Sequence, residues 1–225
     1  TRRGSPTRRS PEDRMPNAFG LGDVDEGVKG FRDGTHRLVA PSETIARVTR
    51  MMPVLGITRV ADLTGLDTIG VPVVMAYRPN ARSLSVSSGK GVTLEAARAS
   101  ALMEALESYH AERVLAPLLL GTERELRHRI PMVDTGALPR LSVGRYDENR
   151  SILWIEGHDL LAGEPAWVPF EMVHTSYTLP LPAGSGCFPM TSNGLSSGNH
   201  PLEAIGHGLC EVVERDATTL FQGTR

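Results

Sequence analysis

Cysteine is nearly missing from this chain: only Cys187 and Cys210 occur among 225 residues, and neither belongs to a CxxC pair. That excludes a disulfide framework and a cysteine-built zinc site, and it fits a reducing cytoplasm with two buried, inert thiols. No run of about 18 apolar residues exists, so no membrane-spanning helix is expected. The N-terminus lacks the apolar stretch of a secretory signal. With a net charge of −2 the chain has no basic excess for coating nucleic acid. Neither GxxxxGK[ST] nor GxGxxG appears, which removes the P-loop and the Rossmann fingerprint.

What is present is the composition of a globular domain, 40% hydrophobic and 22% charged. Residues 1–30 hold Arg2, Arg3, Arg8, Arg9 and Arg14 among Pro, Ser and Gly, and are expected to form a disordered basic tail. Order is expected from near Arg37, in a single domain over 31–225. "PSETIARVTRMM" offers Ser42 as an N-cap ahead of Ile45, Val48 and Met52 at helical spacing. "ITRVADL", "VPVVMAYR" and "SLSVSS" read as short strands, and a helix follows from about Thr93 to Val114. "SILWIEGHDLL" and "AWVPFEMVH" read as antiparallel strands joined by "AGEP", while 115–150 carry a mixed signal. A Gly/Pro/Ser loop then leads to a final helix from Pro201 to about Thr219. The order implies an α+β fold with mixed or antiparallel sheets packed against helices.

Two segments share an unusual pattern. "GVTLEAARASALMEALES", from Gly91, overlays "GNHPLEAIGHGLCEVVER", from Gly198, with five identities in eighteen positions. Glu104 matches Glu211 and Glu107 matches Glu214, and both segments follow glycine-rich loops. Each helix carries an apolar stripe and an acidic stripe: Glu104 and Glu107 on the first, Glu203, His207, Glu211 and Glu214 on the second. No Lys or Arg sits three or four residues from Glu104 or Glu107, although solvated helices usually interleave charges. Two helices presenting carboxylates to a shared cleft would repel unless a cation lies between them. Hard oxygen ligands favour Mg²⁺ bridged to phosphates, and glycine loops entering helix N-termini suit those phosphates, with Lys90 as an added charge. His110 and His207 beside the acidic stripes are candidate bases or structural histidines. Asp62 and Asp67 read as turn residues. Asn199 reads as either a nucleotide contact or the cap of the last helix. A di-iron bundle would need Glu and His three residues apart, and Glu107 and Glu214 occupy those places instead.

"GKGVTLEAARASALMEALES" and "TSNGLSSGNHPLEAIGHGLCEVVERDA" resemble the two signature blocks of the YcaO superfamily, ATP-dependent enzymes that activate a peptide-backbone amide. The resemblance implies ATP and Mg²⁺ as cofactors, with Glu104, Glu107, Glu211 and Glu214 on the metal. It implies nucleotide-site roles for Ser100, Asn199, Glu203 and Arg215, and for Arg37 and Thr44 at their spacing of seven. "GTHRLVAPSETIARV", "GITRVADLTGLDTIGVPVVMAYRPNARSLSVSSGKG" and "ESYHAE" resemble the branch that works with TfuA-like partner proteins, linked to thioamide formation. The implied partners are a peptide or protein substrate, a TfuA-like protein and a second copy of the chain. The alternatives are an azoline-forming cyclodehydratase and a non-catalytic peptide-binding module. Family members continue well beyond the second block, so the domain is expected to lack its C-terminal part and to hydrolyse ATP poorly by itself.

Overall fold

The structure, a computed structural model, describes residues 30–32 and 35–224. The expected basic tail lies outside the described residues apart from its last position. Ordered chain begins before Arg37, with a two-stranded antiparallel ribbon of β1 (Gly30–Arg32) and β2 (Thr35–Arg37).

Helix α1 (Pro41–Leu55) starts without a side-chain cap. Ala40 holds the extended N-cap conformation and Pro41 fills the first helical position, so Ser42 lies inside the first turn rather than capping it. Gly56 ends α1 in the left-handed region at φ 70°, where a side chain would be strained. Strands β3 (Arg59–Asp62), β4 (Val73–Tyr77) and β5 (Val86–Lys90) form an antiparallel sheet in that order. Helix α2 (Leu94–Glu112) packs across it, with the Thr93 hydroxyl accepting from Ala96 N at 3.1 Å. Ala97, Ala101, Leu102 and Ala105 of α2 are wholly buried and meet Val48 and Leu55 of α1 and Val74 and Ala76 of β4. The small alanines let α2 approach the sheet closely. Gly89 on β5 has no room for a β-carbon, because the backbone of Ala97 and Ala101 occupies that space.

The mixed region resolves into β6 (Leu118–Thr122) and a one-turn α3 (Glu123–Leu126). Strands β7 (Ser151–Asp159) and β8 (Glu164–Pro169) complete a second antiparallel sheet, ordered β6-β7-β8. The β7–β8 turn is Leu160–Gly163, two residues earlier than "AGEP", and Phe170–Met172 form a 3-10 turn instead of extending β8. Trp154, Phe188 and Cys187 fill this second core. The Glu171 carboxylate accepts from the backbone N–H groups of Gly186, Cys187 and Phe188, which pins the long loop beneath the sheet.

The last helix, α4 (Pro201–Gly223), runs beyond Thr219. Its cap is His200, whose Nδ1 accepts from Leu202 N at 3.2 Å, so Asn199 is free of that duty. The apolar stripe of α4 stays open to solvent, with Leu209 54% and Val213 68% exposed. Cys210 is exposed on the same helix, against the expectation of a buried thiol, while Cys187 is buried as expected. The α+β class stands: among the described residues the strands form three antiparallel sheets, with one isolated parallel bridge between Met132 and Trp167. No helix among the described residues is long and apolar enough to cross a membrane.

Candidate functional site

One face of α2 and one row of α4 line a cleft of about 710 Å³. On α4 the row is Glu203, His207, Glu211 and Arg215, each four residues from the next. Glu214 is exposed and outside the cleft lining, because it is rotated by about 100° from Arg215, one residue on. The cleft wall brings together Arg37, Thr44, Lys90, Ser100, Glu104, Glu107, Asn199, Glu203, Glu211 and Arg215. His207 shares it. His110 is exposed, packs edge-on against Tyr109 and is not part of the lining. Asp62 and Asp67 cap turns through Thr64 N and Ile69 N, as their sequence context implies.

At one end, β2, α1 and α4 are tied together. Arg37 Nη1 lies 3.1 Å from Glu203 Oε1, and Glu203 is 1% exposed. Asn199 Nδ2 donates to Thr44 Oγ1 at 3.0 Å, and Asn199 Oδ1 accepts from Arg47 at 3.4 Å. Arg47, which also pairs with Glu43 one helical turn before it, joins this end without a distinct sequence signal.

Carboxylates dominate the middle. Burial pushes the Glu104 carboxyl above its ordinary range, opposed by the Ser88 backbone N–H and the Lys90 charge. Glu107 is pushed up to about 7, chiefly by burial and further by the charges of Glu104 and Glu211, while hydrogen bonds with Ser197 pull the other way. Ser197 therefore joins the site; its only sequence signal is its place in the glycine loop. Arg215 Nη2 stands 2.6 Å from Glu211 Oε1. That oxygen is buried and is held by the Arg215 ion pair.

The sign for stability follows from Glu107. Above the ordinary carboxylate range and up to about pH 7, the folded state keeps a proton that the unfolded chain has lost. Its contribution is therefore complete at low pH and is lost as pH rises through about 7. In metal-free buffer, stability is expected to fall by about 1–2 kcal/mol between pH 5 and 8, after allowance for solvent screening. Glu107→Gln should flatten that decline in thermal melts; an equal decline in the variant would assign it elsewhere.

The donor set fits a shared rather than an enclosed cation. Among the described residues no three His, Cys, Asp or Glu side chains converge closely enough to hold a metal alone. Glu104, Glu107 and Glu211 offer hard oxygens from α2 and α4 into one cleft. Such a set suits Mg²⁺, which takes its remaining ligands from phosphates and water.

The family whose pattern matches residues 88–225 is described as YcaO cyclodehydratase, ATP- and Mg²⁺-binding. The chain belongs to the YcaO family. ATP and Mg²⁺ are the cofactors that go with it. A YcaO relative, an uncharacterized protein in the tfuA 3′ region of Rhizobium leguminosarum bv. trifolii, is 41% identical over 202 residues. That match covers 89% of this chain and 47% of the relative. An uncharacterized protein of Mycobacterium tuberculosis is 38% identical over 195 residues, covering 87% of this chain and 44% of the relative. The chain thus spans about half the length of the curated relatives it matches. YcaO from Methanopyrus kandleri bound with AMPPCP and Mg²⁺ superposes with a TM-score of 0.65 at 27% identity, over 91% of this chain and 49% of that one. A heterocyclase in complex with substrate and cofactor shares the fold at TM-score 0.64 and 24% identity, over 78% and 28% of the two chains.

Proposed function

We propose that this chain, over residues 31–225, is the nucleotide-binding part of a cytoplasmic enzyme that phosphorylates a peptide-backbone amide oxygen on the way to a thioamide. The observation that carries the reading is the facing carboxylates of Glu104, Glu107 and Glu211 in one cleft with Lys90 and Arg215. The solved YcaO with AMPPCP and Mg²⁺ supports a nucleotide there. The relative in a tfuA 3′ region supports thioamide formation with a TfuA-like partner over azoline formation.

In this reading Arg37, Thr44, Asn199 and Glu203 hold the nucleoside end, their mutual hydrogen bonds fixing them in advance. Lys90 and Arg215 lie where phosphate charge gathers, Arg215 with a planar donor fork. Ser100 adds a hydroxyl to the same wall. Glu104, Glu107 and Glu211 hold the magnesium, which neutralises charge on the transferred phosphoryl group when bound. The resemblance adds Glu214, which stands one step round α4 from the cleft-facing row.

The amide oxygen takes the γ-phosphoryl group, the bond to ADP breaks, and the amide N–H proton leaves; His207 is the cleft histidine placed to hold it. Hydrosulfide then adds to the carbon, phosphate departs with the original oxygen, and the nitrogen regains its proton. The overall exchange is amide, ATP and hydrosulfide for thioamide, ADP and phosphate. Mass spectrometry of a peptide incubated with the full-length enzyme, its partner, ATP and sulfide is expected to show a gain of about 16 mass units for sulfur in place of oxygen. A loss of about 18, one water, would assign azoline formation instead.

A further inference from the structure

Part of the cleft lining is uncharged and lies beside the C-terminal turns of α2. There the lining is Ser83, Leu84, Ser108, Thr175 and Tyr177, none of them charged. We propose that this part is the seat of the acceptor peptide, which it grips through backbone amides rather than charged side chains. The assignment of the ligand as a peptide rests on the amide-activating reading above.

Thr175 carries the inference. It is 6% exposed, it lines the cleft, and its buried hydroxyl has no hydrogen-bond partner in the protein. Buried hydroxyls are nearly always satisfied, so an orphan on a residue that lines a cleft points to a ligand that completes it. A hydroxyl donates and accepts, which matches the C=O and N–H of a peptide unit.

The surrounding wall is built rather than incidental. Thr175 N donates to Ala111 O at 3.0 Å and Tyr177 N donates to Arg82 O at 2.9 Å, which fastens this segment to α2 and to the β4–β5 loop. Ser83 is held through its hydroxyl to Glu112 Oε1 at 2.6 Å, and Arg78 grips the same carboxylate. Leu84 and Tyr177 keep 75% and 51% of their surfaces open at the rim, apolar area that a bound side chain would cover. Ser108 directly follows Glu107, so a peptide seated here borders the acidic cluster. The arrangement sets an uncharged backbone next to the phosphoryl donor.

The probe is N-acetyl-Gly-Leu-Gly-methylamide, titrated into the full chain with AMPPCP and Mg²⁺ while Thr and Leu methyl resonances are followed by NMR. Saturable shifts at Thr175 and Leu84 are expected. Thr175→Val, which keeps the shape and removes the hydroxyl, should weaken the probe about tenfold, the equivalent of one hydrogen bond. Thr175→Ser should restore most of it, and the exposed Tyr177→Ala should weaken it without disturbing the fold. AMPPCP affinity, read separately by calorimetry, should be the same in all four proteins. Probe affinity unchanged in both Thr175→Val and Tyr177→Ala, or shifts confined to methyls elsewhere, would overturn the subsite. Failure of AMPPCP to bind would strike the nucleotide reading instead, and persistent shifts at Thr175 would then still locate a peptide site.

Discussion

Replacing Gly89 with alanine is expected to cost about 4–5 kcal/mol or more, the range reached by single substitutions only when packing is broken outright. An added β-carbon would lie 2.1 Å from Ala101 N and 2.2 Å from Ala97 O. Both obstacles are backbone atoms of α2, so no rotamer change relieves them, and the helix must lift from β5. Gly89 pairs with Val74 of the central strand β4, which holds β5 against the sheet on that side. For a chain of this size each kcal/mol moves the melting temperature by about 2–4 °C, so a fall of about 10–20 °C is expected. The function should suffer with the fold, because α2 carries Glu104 and Glu107, and Glu104 hydrogen-bonds to the Ser88 backbone next to Gly89. A variant melting within a few degrees of the wild type would show that α2 does not rest on β5 as described.

Glu112→Ala should destabilise by about 3–5 kcal/mol, since it strands a buried guanidinium. Arg78 is 2% exposed and Glu112 3%. Arg78 meets both carboxylate oxygens, at 3.3 and 2.7 Å, and its Nε donates to Leu55 O at 3.0 Å. Burial pushes the Glu112 carboxyl up, but hydrogen bonds from Arg78 and Ser83 outweigh it and hold it below its ordinary range. The contribution is therefore complete above the ordinary carboxylate range and is lost as pH falls through the lowered value, opposite to Glu107. Denaturant melts of Glu112→Ala and of the double variant Arg78→Met/Glu112→Leu separate pair from charge. The double variant should recover much of the loss, because an apolar pair leaves no buried ion. If Glu112→Ala costs under about 1 kcal/mol, the pair is effectively solvated and the wall built on Ser83 is not rigid.

Much of this architecture is legible along the chain. The branched residues of β3 and β4 and the four-residue spacing of Ala97, Ala101 and Ala105 mark strands and helix by local periodicity. Glu104 and Glu107 stand out because no Lys or Arg stands three or four residues from either. Helix starts were harder: Ser42 and Asn199 are good caps by type, yet Pro41 and Pro201 open the helices and leave the cap positions to Ala40 and His200. The acidic repeat aligned Glu107 with Glu214, whereas the row of α4 facing the cleft passes through Glu211 and Arg215. A linear repeat does not report how a helix is rotated about its axis. Thr175 and Ser83 carry no local signal, and Ser197 only its place in the glycine loop, because the cleft assembles them from three distant loops. The apolar stripe of α4 is plain in sequence, but a stripe does not say whether anything packs against it.

The central claim is that the carboxylates of α2 and α4 bind a nucleotide through magnesium. Isothermal titration of AMPPCP, with and without Mg²⁺, tests it on wild type and on Glu104→Gln, Glu107→Gln and Glu211→Gln. Binding should require Mg²⁺ and weaken by about 10- to 100-fold in each variant, the scale of losing one metal ligand or its support. Equal affinity in all three variants, or affinity indifferent to Mg²⁺, would contradict the account.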